Sequence, residues 1–388
     1  MQRWRGSIAA ARPTPLPPMR PVDMATRIAR VDWLLVLTVS AIAAIGASML
    51  YSAGGGSATP WAGRHGVRYA VGLVIMLVLA FGGLRRWYSM AYLGYGACFL
   101  LLVVVEVAGS GSGATRWIDL GVMRLQPSEL MKIALVLALA RLLHEAGPDG
   151  ADRLHVLGPA LLLIAAPAML VLKQPDLGTA VLLCAGGVTI LFLAGVAWWK
   201  FGIAAALAAG AAPIAWSFLH DYQRARVLTF MEPERDPLGA GYHIIQSMIA
   251  LGSGGTFGKG WLQGTQSHLS FLPEKHTDFV FTMLGEELGL AGGLFVLALF
   301  ALLIARIYRI AFLSESRFGR LLALGIGTTL FLYVAINVSM VMCLAPVVGV
   351  PLPFISYGGT AMLTLQIGLG LALAVAVDRS DPMEKNRR

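Results

Sequence analysis

The sequence predicts an all-α polytopic membrane protein of about ten transmembrane helices, with both termini cytoplasmic and one long extracytoplasmic loop between spans seven and eight. Three observations carry this. Of 388 residues, 57% are hydrophobic and 13% charged, where soluble domains carry roughly 25% charged residues. The mean hydropathy is +0.72. Apolar runs of spanning length recur, separated by loops that are alternately rich and poor in Lys and Arg.

The spans are read near Trp33–Ser52, Val67–Leu84, Tyr88–Ala108, Leu130–His144, Leu154–Leu172, Leu177–Val196, Phe201–Leu219, Phe279–Ala305, Leu321–Leu344 and Gly359–Val377. The side holding the termini takes 19 of the 30 Lys and Arg residues, which orients it to the cytoplasm. The net charge of +9 is explained by those loops and does not call for a nucleic acid partner. Residues 1–32 contain "RPTPLPPMRP" and read as a disordered cytoplasmic tail without a signal-peptide h-region. Residues 33–219 hold spans one to seven, 220–277 the long loop, 278–378 spans eight to ten, and 379–388 a second tail. "GYHIIQSMIALGSGGTFGKGW" in the long loop is apolar but broken by glycines, which suggests re-entrant or interfacial pieces. Cys98, Cys184 and Cys343 lie in apolar runs without metal-ligand spacing and read as packing residues.

Against this background a few polar residues need a reason. "FLPEKHTDFVFTMLGEELG" puts Asp278 where the eighth span begins, with Thr282 and Glu286 at i+4 and i+8 on one helical face. Asp278 reads either as a helix N-cap or as a functional carboxylate. Glu286 reads as an interhelical hydrogen bond or as part of a cavity. "LQPSELMK" offers Glu129 and Lys132 at i+3, an ion pair or a functional pair inside the membrane. "KQPDLG" offers Asp176 as an N-cap or a site residue, and "GATRW" offers Arg116 beside Trp117, a candidate interface anchor. "PLPFISYGG", with Ser356, opens the last span and reads either as a plain helix start or as backbone amides presented to an anion. All of these lie at the outward ends of spans, whereas a transporter places its polar site near the midplane.

The stretches "GATRWIDLGVMRLQPSELMK", "KQPDLGTA", "FLPEKHTDFVFTMLGEELG" and "NVSMVMCLAPVVGVPLPFISYGGT" resemble the SEDS proteins (shape, elongation, division and sporulation) of bacteria, in order and over nearly everything after about Ala29. "VVGVPLPFISYGGTAMLT" is more similar to the RodA branch than to FtsW, its division counterpart. The resemblance implies a peptidoglycan glycosyltransferase of the bacterial inner membrane that polymerises lipid II during cell elongation. It implies a class B penicillin-binding protein as partner, other elongation-complex proteins around it, and membrane lipids as surroundings. It also implies Asp278 as the essential aspartate and Trp117, Glu129, Lys132 and Asp176 as residues of the activity or the cavity.

The chemistry fits. A sugar hydroxyl attacks a sugar carried on a lipid pyrophosphate, so a carboxylate base at the membrane boundary helps the attack. Cations stabilise the leaving pyrophosphate, from Arg116, Lys132, Arg224 or Arg226, with Glu286 shaping the cavity below. A divalent cation, Mg or Mn, is a further expected helper, although no sequence motif shows one. A lipid II flippase, an FtsW-type division polymerase and a non-catalytic scaffold remain as alternatives.

Overall fold

The structure is a computed structural model that describes residues 23–108, 116–119, 121, 124–218, 224, 228–232, 240–265 and 276–380. Helices α1 (Met24–Arg30), α2 (Trp33–Ala53), α3 (Ala62–Ala80) and α4 (Leu84–Ala108) precede a small antiparallel hairpin of β1 (Ile118–Asp119) and β2 (Arg124–Leu125). Then come α5 (Pro127–Ala146), α6 (Leu154–Lys173), α7 (Leu177–Leu193), α8 (Trp198–Phe218), α9 (Ala240–Ser253), α10 (Val280–Leu313), α11 (Arg317–Val341) and α12 (Gly359–Val377). A helix stands at every expected span. Seven of them are long and apolar enough to cross a membrane: α2, α3, α4, α6, α10, α11 and α12.

Short polar signals set the ends. Asp32 caps α2 by accepting the Leu35 amide at 3.0 Å, and Asp176 caps α7 by accepting Thr179 N at 3.2 Å. Pro127 starts α5, where a missing N–H costs nothing. Helix α12 is the axis of the bundle, buried from Met362 to Val377 apart from Leu363 and Ile367 at most partly covered. Helix α3 crosses it so closely that a Cβ on Gly72 would lie 1.6 Å from Gln366 Oε1. Small residues of this kind bring helix backbones together where lipid gives no hydrophobic drive to association. The outer face of α3 carries Val67, Val71, Val74 and Val78, all exposed, at helical spacing. A valine stripe facing outward is what a lipid-facing helix needs.

Two expectations change, and the long loop gains detail. The segment before α2 is not all tail. Residues 24–30 form α1, because Arg27 donates to Phe81 O at 3.2 Å and pairs with Asp378 at 3.5 Å, while Arg30 donates to Val377 O. The eighth span is not one continuous helix. It breaks at Gly289, whose φ of 68° and ψ of −168° only glycine adopts without strain. The long loop holds a regular helix, α9, followed by a glycine-rich turn at 254–262 that packs into that break.

Candidate active site

Five of the ten residues singled out from sequence line one cavity of about 390 Å³. Its walls include Asp278, Glu129, Asp176, Arg116 and Trp117, together with Gln126, Thr179, Tyr357 and the glycines that open α12. Five separate stretches of chain supply them, and each is held by identifiable bonds.

Asp278 lies in the turn just before α10. The cap position is Phe279, so Asp278 does not cap the helix. Its backbone is bolted down instead. Asn337 of α11 donates one side-chain N–H group to Asp278 O at 2.9 Å and another to Val350 O at 2.7 Å. Two residues earlier, His276 O accepts the Tyr357 amide at 2.8 Å. The His276 ring stacks on Trp61, 4.7 Å between centroids, and is not among the residues lining the cavity. The half-buried Asp278 side chain faces Gly349, where an added Cβ would sit 3.5 Å from Oδ2. Gly349 has φ 74°, so the tight turn and the close approach both favour glycine.

Asp176 caps α7 and stands on the cavity wall as well. It also accepts Thr179 Oγ1 at 3.0 Å and Gln126 Nε2 at 3.1 Å. Arg116 reaches toward it at 4.0 Å while donating Nε to Gln174 O at 2.8 Å and a second N–H group to Pro175 O.

Glu129 and Lys132 form an ion pair of 2.7 Å, both 4% exposed. Tyr333 of α11 donates its hydroxyl to Glu129 Oε2, and its ring lies under the Lys132 ammonium at 4.4 Å. A buried pair is tolerated when its remaining valences are met in this way. Glu129 lines the cavity, whereas Lys132 does not.

Three other expected site residues lie elsewhere, and a fourth is not described. Glu286 is fully buried and pairs with Lys259 of the loop at 2.8 Å, because α10 begins only at Val280 and turns that face away from the cavity. Ser356 is buried inside its own segment, accepting the Leu352 amide at 2.8 Å. Arg224 donates to the Trp216 and Ser217 carbonyls at the end of α8, at 3.1 and 2.8 Å. Arg226 falls outside the described residues.

Sequence reasoning missed a basic recess that shares the Trp117, Tyr357 and Gly358–Thr360 wall with the cavity. It is lined by Arg64, Arg68 and Arg124. Arg68 lies over the Tyr357 ring at 4.7 Å, and Arg124 approaches Asp119 at 3.8 Å. The hairpin that carries Arg124 is tied to α12 by Thr360 Oγ1, which donates to Arg124 O at 2.8 Å. Among the described residues no three His, Cys, Asp or Glu side chains form a metal-holding cluster.

Comparison with known proteins decides the family. The profile of the FtsW/RodA/SpoVE cell cycle proteins matches residues 27–381. The chain belongs to this family. It is 49% identical to the peptidoglycan glycosyltransferase MrdB of Escherichia coli K12 over 87% of this chain and 91% of that protein. It is 37% identical to the probable peptidoglycan glycosyltransferase FtsW of Geobacter metallireducens over 87% and 92%. Among solved structures it resembles a chain from work on the structural coordination of polymerization and crosslinking by a peptidoglycan synthase complex, with TM-score 0.79, 35% identity and coverage of 90% and 99%. It also resembles the rod shape determining protein RodA of Thermus thermophilus, with TM-score 0.67, 32% identity and coverage of 90% and 97%. Like them, this family member is a polytopic membrane protein.

Proposed function

We propose that this protein is a RodA-type peptidoglycan glycosyltransferase that polymerises lipid II at the outer face of the bacterial inner membrane, with Asp278 as general base. One observation carries the reading. A carboxylate at a helix mouth opens onto a cavity that continues into an arginine-lined recess.

The geometry suits the reaction. A sugar hydroxyl in the cavity gives its proton to Asp278 as its oxygen bonds to the donor's anomeric carbon. The bond from that carbon to the lipid pyrophosphate breaks, and the pyrophosphate leaves with the electron pair. Its growing charge needs fixed cations. Arg116 on the cavity wall and Arg64, Arg68 and Arg124 next door are best placed to supply them. Lys132 acts indirectly by holding Glu129, and Arg224 serves α8. Both substrates keep their tails in the bilayer, which is why the reacting groups stand at span ends.

The family resemblance and the synthase-complex neighbour support a class B penicillin-binding protein as the crosslinking partner. The higher identity to MrdB than to FtsW favours the elongation role. The test is polymer formation from lipid II by purified protein. Asp278→Asn keeps the shape and removes the base, so polymer should fall by roughly 10²-fold or more. Unimpaired polymerisation by the variant would overturn the assignment. Translocation of lipid II without polymer from the wild type would favour the flippase.

A further inference from the structure

A larger cavity, about 590 Å³, lies at the opposite end of the bundle. Helices α12 and α10 run from one pocket to the other. Helix α12 offers Gly359 to the active-site cavity and ends at the second, beside Ala376 and Arg379, about 28 Å away at 1.5 Å per residue. Helix α10 follows Asp278 and reaches the second pocket at Arg306 and Arg309, and α2 begins there at Trp33. This second cavity therefore cannot serve glycosyl transfer directly.

Its charge is one-sided. Arg30, Arg306, Arg309 and Arg379 line it against a single carboxylate, Asp32. Arg306 is committed to Asp32 through a two-pronged pair, with contacts of 2.7 to 3.2 Å. Arg30 donates one N–H group to Val377 O. Arg309 and Arg379 are exposed, and no described residue takes a hydrogen bond or ion pair from either guanidinium. Glu315 meets Arg379 through its own backbone amide, which donates to the Arg379 carbonyl.

The rim is of another kind. Trp33, Leu34 and Leu313 line the same cavity and are exposed, and Leu37 continues the strip along α2 at 65% exposure. Trp33 directs its indole N–H to Ile28 O at 3.2 Å, with its ring at the level where tryptophans mark a membrane boundary. Two uncommitted guanidinium groups above a strip of exposed leucine match an amphipathic anion, with its phosphate among the arginines and its tails along α2.

We propose that this pocket binds the phosphate headgroup of an anionic phospholipid in the leaflet next to the chain termini. Arginine suits the task because its planar fork takes two phosphate oxygens at once. Basic recesses between spanning helices recognise such headgroups. The lipid would clamp α1, α2, α10 and the end of α12 to one another, away from the reacting carboxylate.

The experiment uses the full-length protein in vesicles of phosphatidylglycerol and phosphatidylcholine in equal amounts, then extraction and counting of the lipids that stay bound. Wild type should retain phosphatidylglycerol preferentially. Arg309→Gln with Arg379→Gln should weaken that preference by roughly fivefold per arginine, with polymerisation in detergent unchanged. Both side chains are solvent-facing, and an unchanged melting temperature would show that the variant folds. Equal retention of the two lipids by wild type, or a preference that survives both substitutions, would overturn the proposal. Glycerol 3-phosphate separates a lipid from a soluble anion. If it displaces the bound lipid at millimolar concentration, the pocket takes a free phosphate and the lipid assignment falls.

Discussion

Two acidic sites stand one short helix apart at the start of α10, and their surroundings are opposite. Asp278 faces an open cavity of about 390 Å³. Glu286 and Glu287, eight and nine positions later, are both 0% exposed and closed in by the chain. Lys259 and Thr265 donate to Glu286 Oε1 at 2.8 and 3.2 Å. Ser52 of α2 donates to Glu287 Oε1 at 2.5 Å, and the Leu262 amide donates to Oε2 at 3.3 Å. The backbone joins in, since residues 255–260 exchange four hydrogen bonds of 3.0 Å with residues 286, 287, 290 and 291 across the Gly289 break. The loop thus replaces helix bonds that the break removes. Burial alone does not mark a carboxylate that can meet a substrate. Room for a substrate in front of its oxygens does.

The comparison breaks first on activity. Asp278→Asn should lose roughly 10² to 10⁴ in polymerisation rate and almost nothing in thermal stability, because the anchor of its own carbonyl to Asn337 and that of the nearby His276 carbonyl to Tyr357 persist. Paired rate and melting measurements in detergent check both halves. A large loss of stability would put Asp278 with the structural carboxylates.

The closed site should show the reverse. Lys259→Ala leaves the Glu286 carboxylate charged and fully enclosed, so about 3 kcal/mol of stability should go. Glu286→Gln should cost less, about 1 kcal/mol, because the Lys259 side chain is 27% exposed and can turn to water. Unfolding in denaturant reads both. Equal losses, or a Lys259→Ala protein that is stable yet inactive, would mean the loop cluster takes part in the reaction.

Gly289→Ala tests the break itself. An added Cβ would lie 2.3 Å from Gly258 N, and the backbone conformation is one that alanine avoids. The strain is about 2 kcal/mol. Activity should fall together with the melting temperature, since the loop is hydrogen-bonded to the short helix behind Asp278. If alanine is accepted without loss, α10 can run straight and the loop is a passive cover.

This region also shows how far the sequence could be read. The spans were legible because a long apolar run admits no other structure in lipid. Asp278, Glu129, Asp176, Arg116 and Trp117 were legible because charge or an interface aromatic at a span end stands out against that background. Only the cavity alternative for Glu286 went astray, by extending a helix ladder back to Asp278, whereas α10 starts at Val280 and is interrupted nine residues later. "GEELGLAGG" did carry a warning, three glycines within five residues of a span. The partnership of Lys259 with Glu286 had no local signal, since ion pairs across 27 residues have no fixed spacing. The same holds for Arg64, Arg68 and Arg124, which no motif singled out and which the fold sets beside Tyr357.

The smallest effect comes from an ion pair with the same length but different burial. Lys200 and Asp152 are also 2.8 Å apart, yet 45% of the Asp152 side chain is exposed, against none of Glu286. The Lys200 hydrogen bond, with help from the Ala197 amide, holds the Asp152 carboxyl below its usual range. A depressed carboxylate stabilises the folded state above the unfolded pKa, near 3.9, and that contribution fades as pH falls through the lower folded value. Lys200→Gln should therefore shift the melting temperature only slightly at pH 7, and wild type and variant should converge in acid below about pH 3. High salt should shrink the difference at pH 7 while leaving the Lys259→Ala loss intact, because screening reaches the exposed pair and not the enclosed carboxylate. If salt erases both losses alike, burial is not what separates the two pairs.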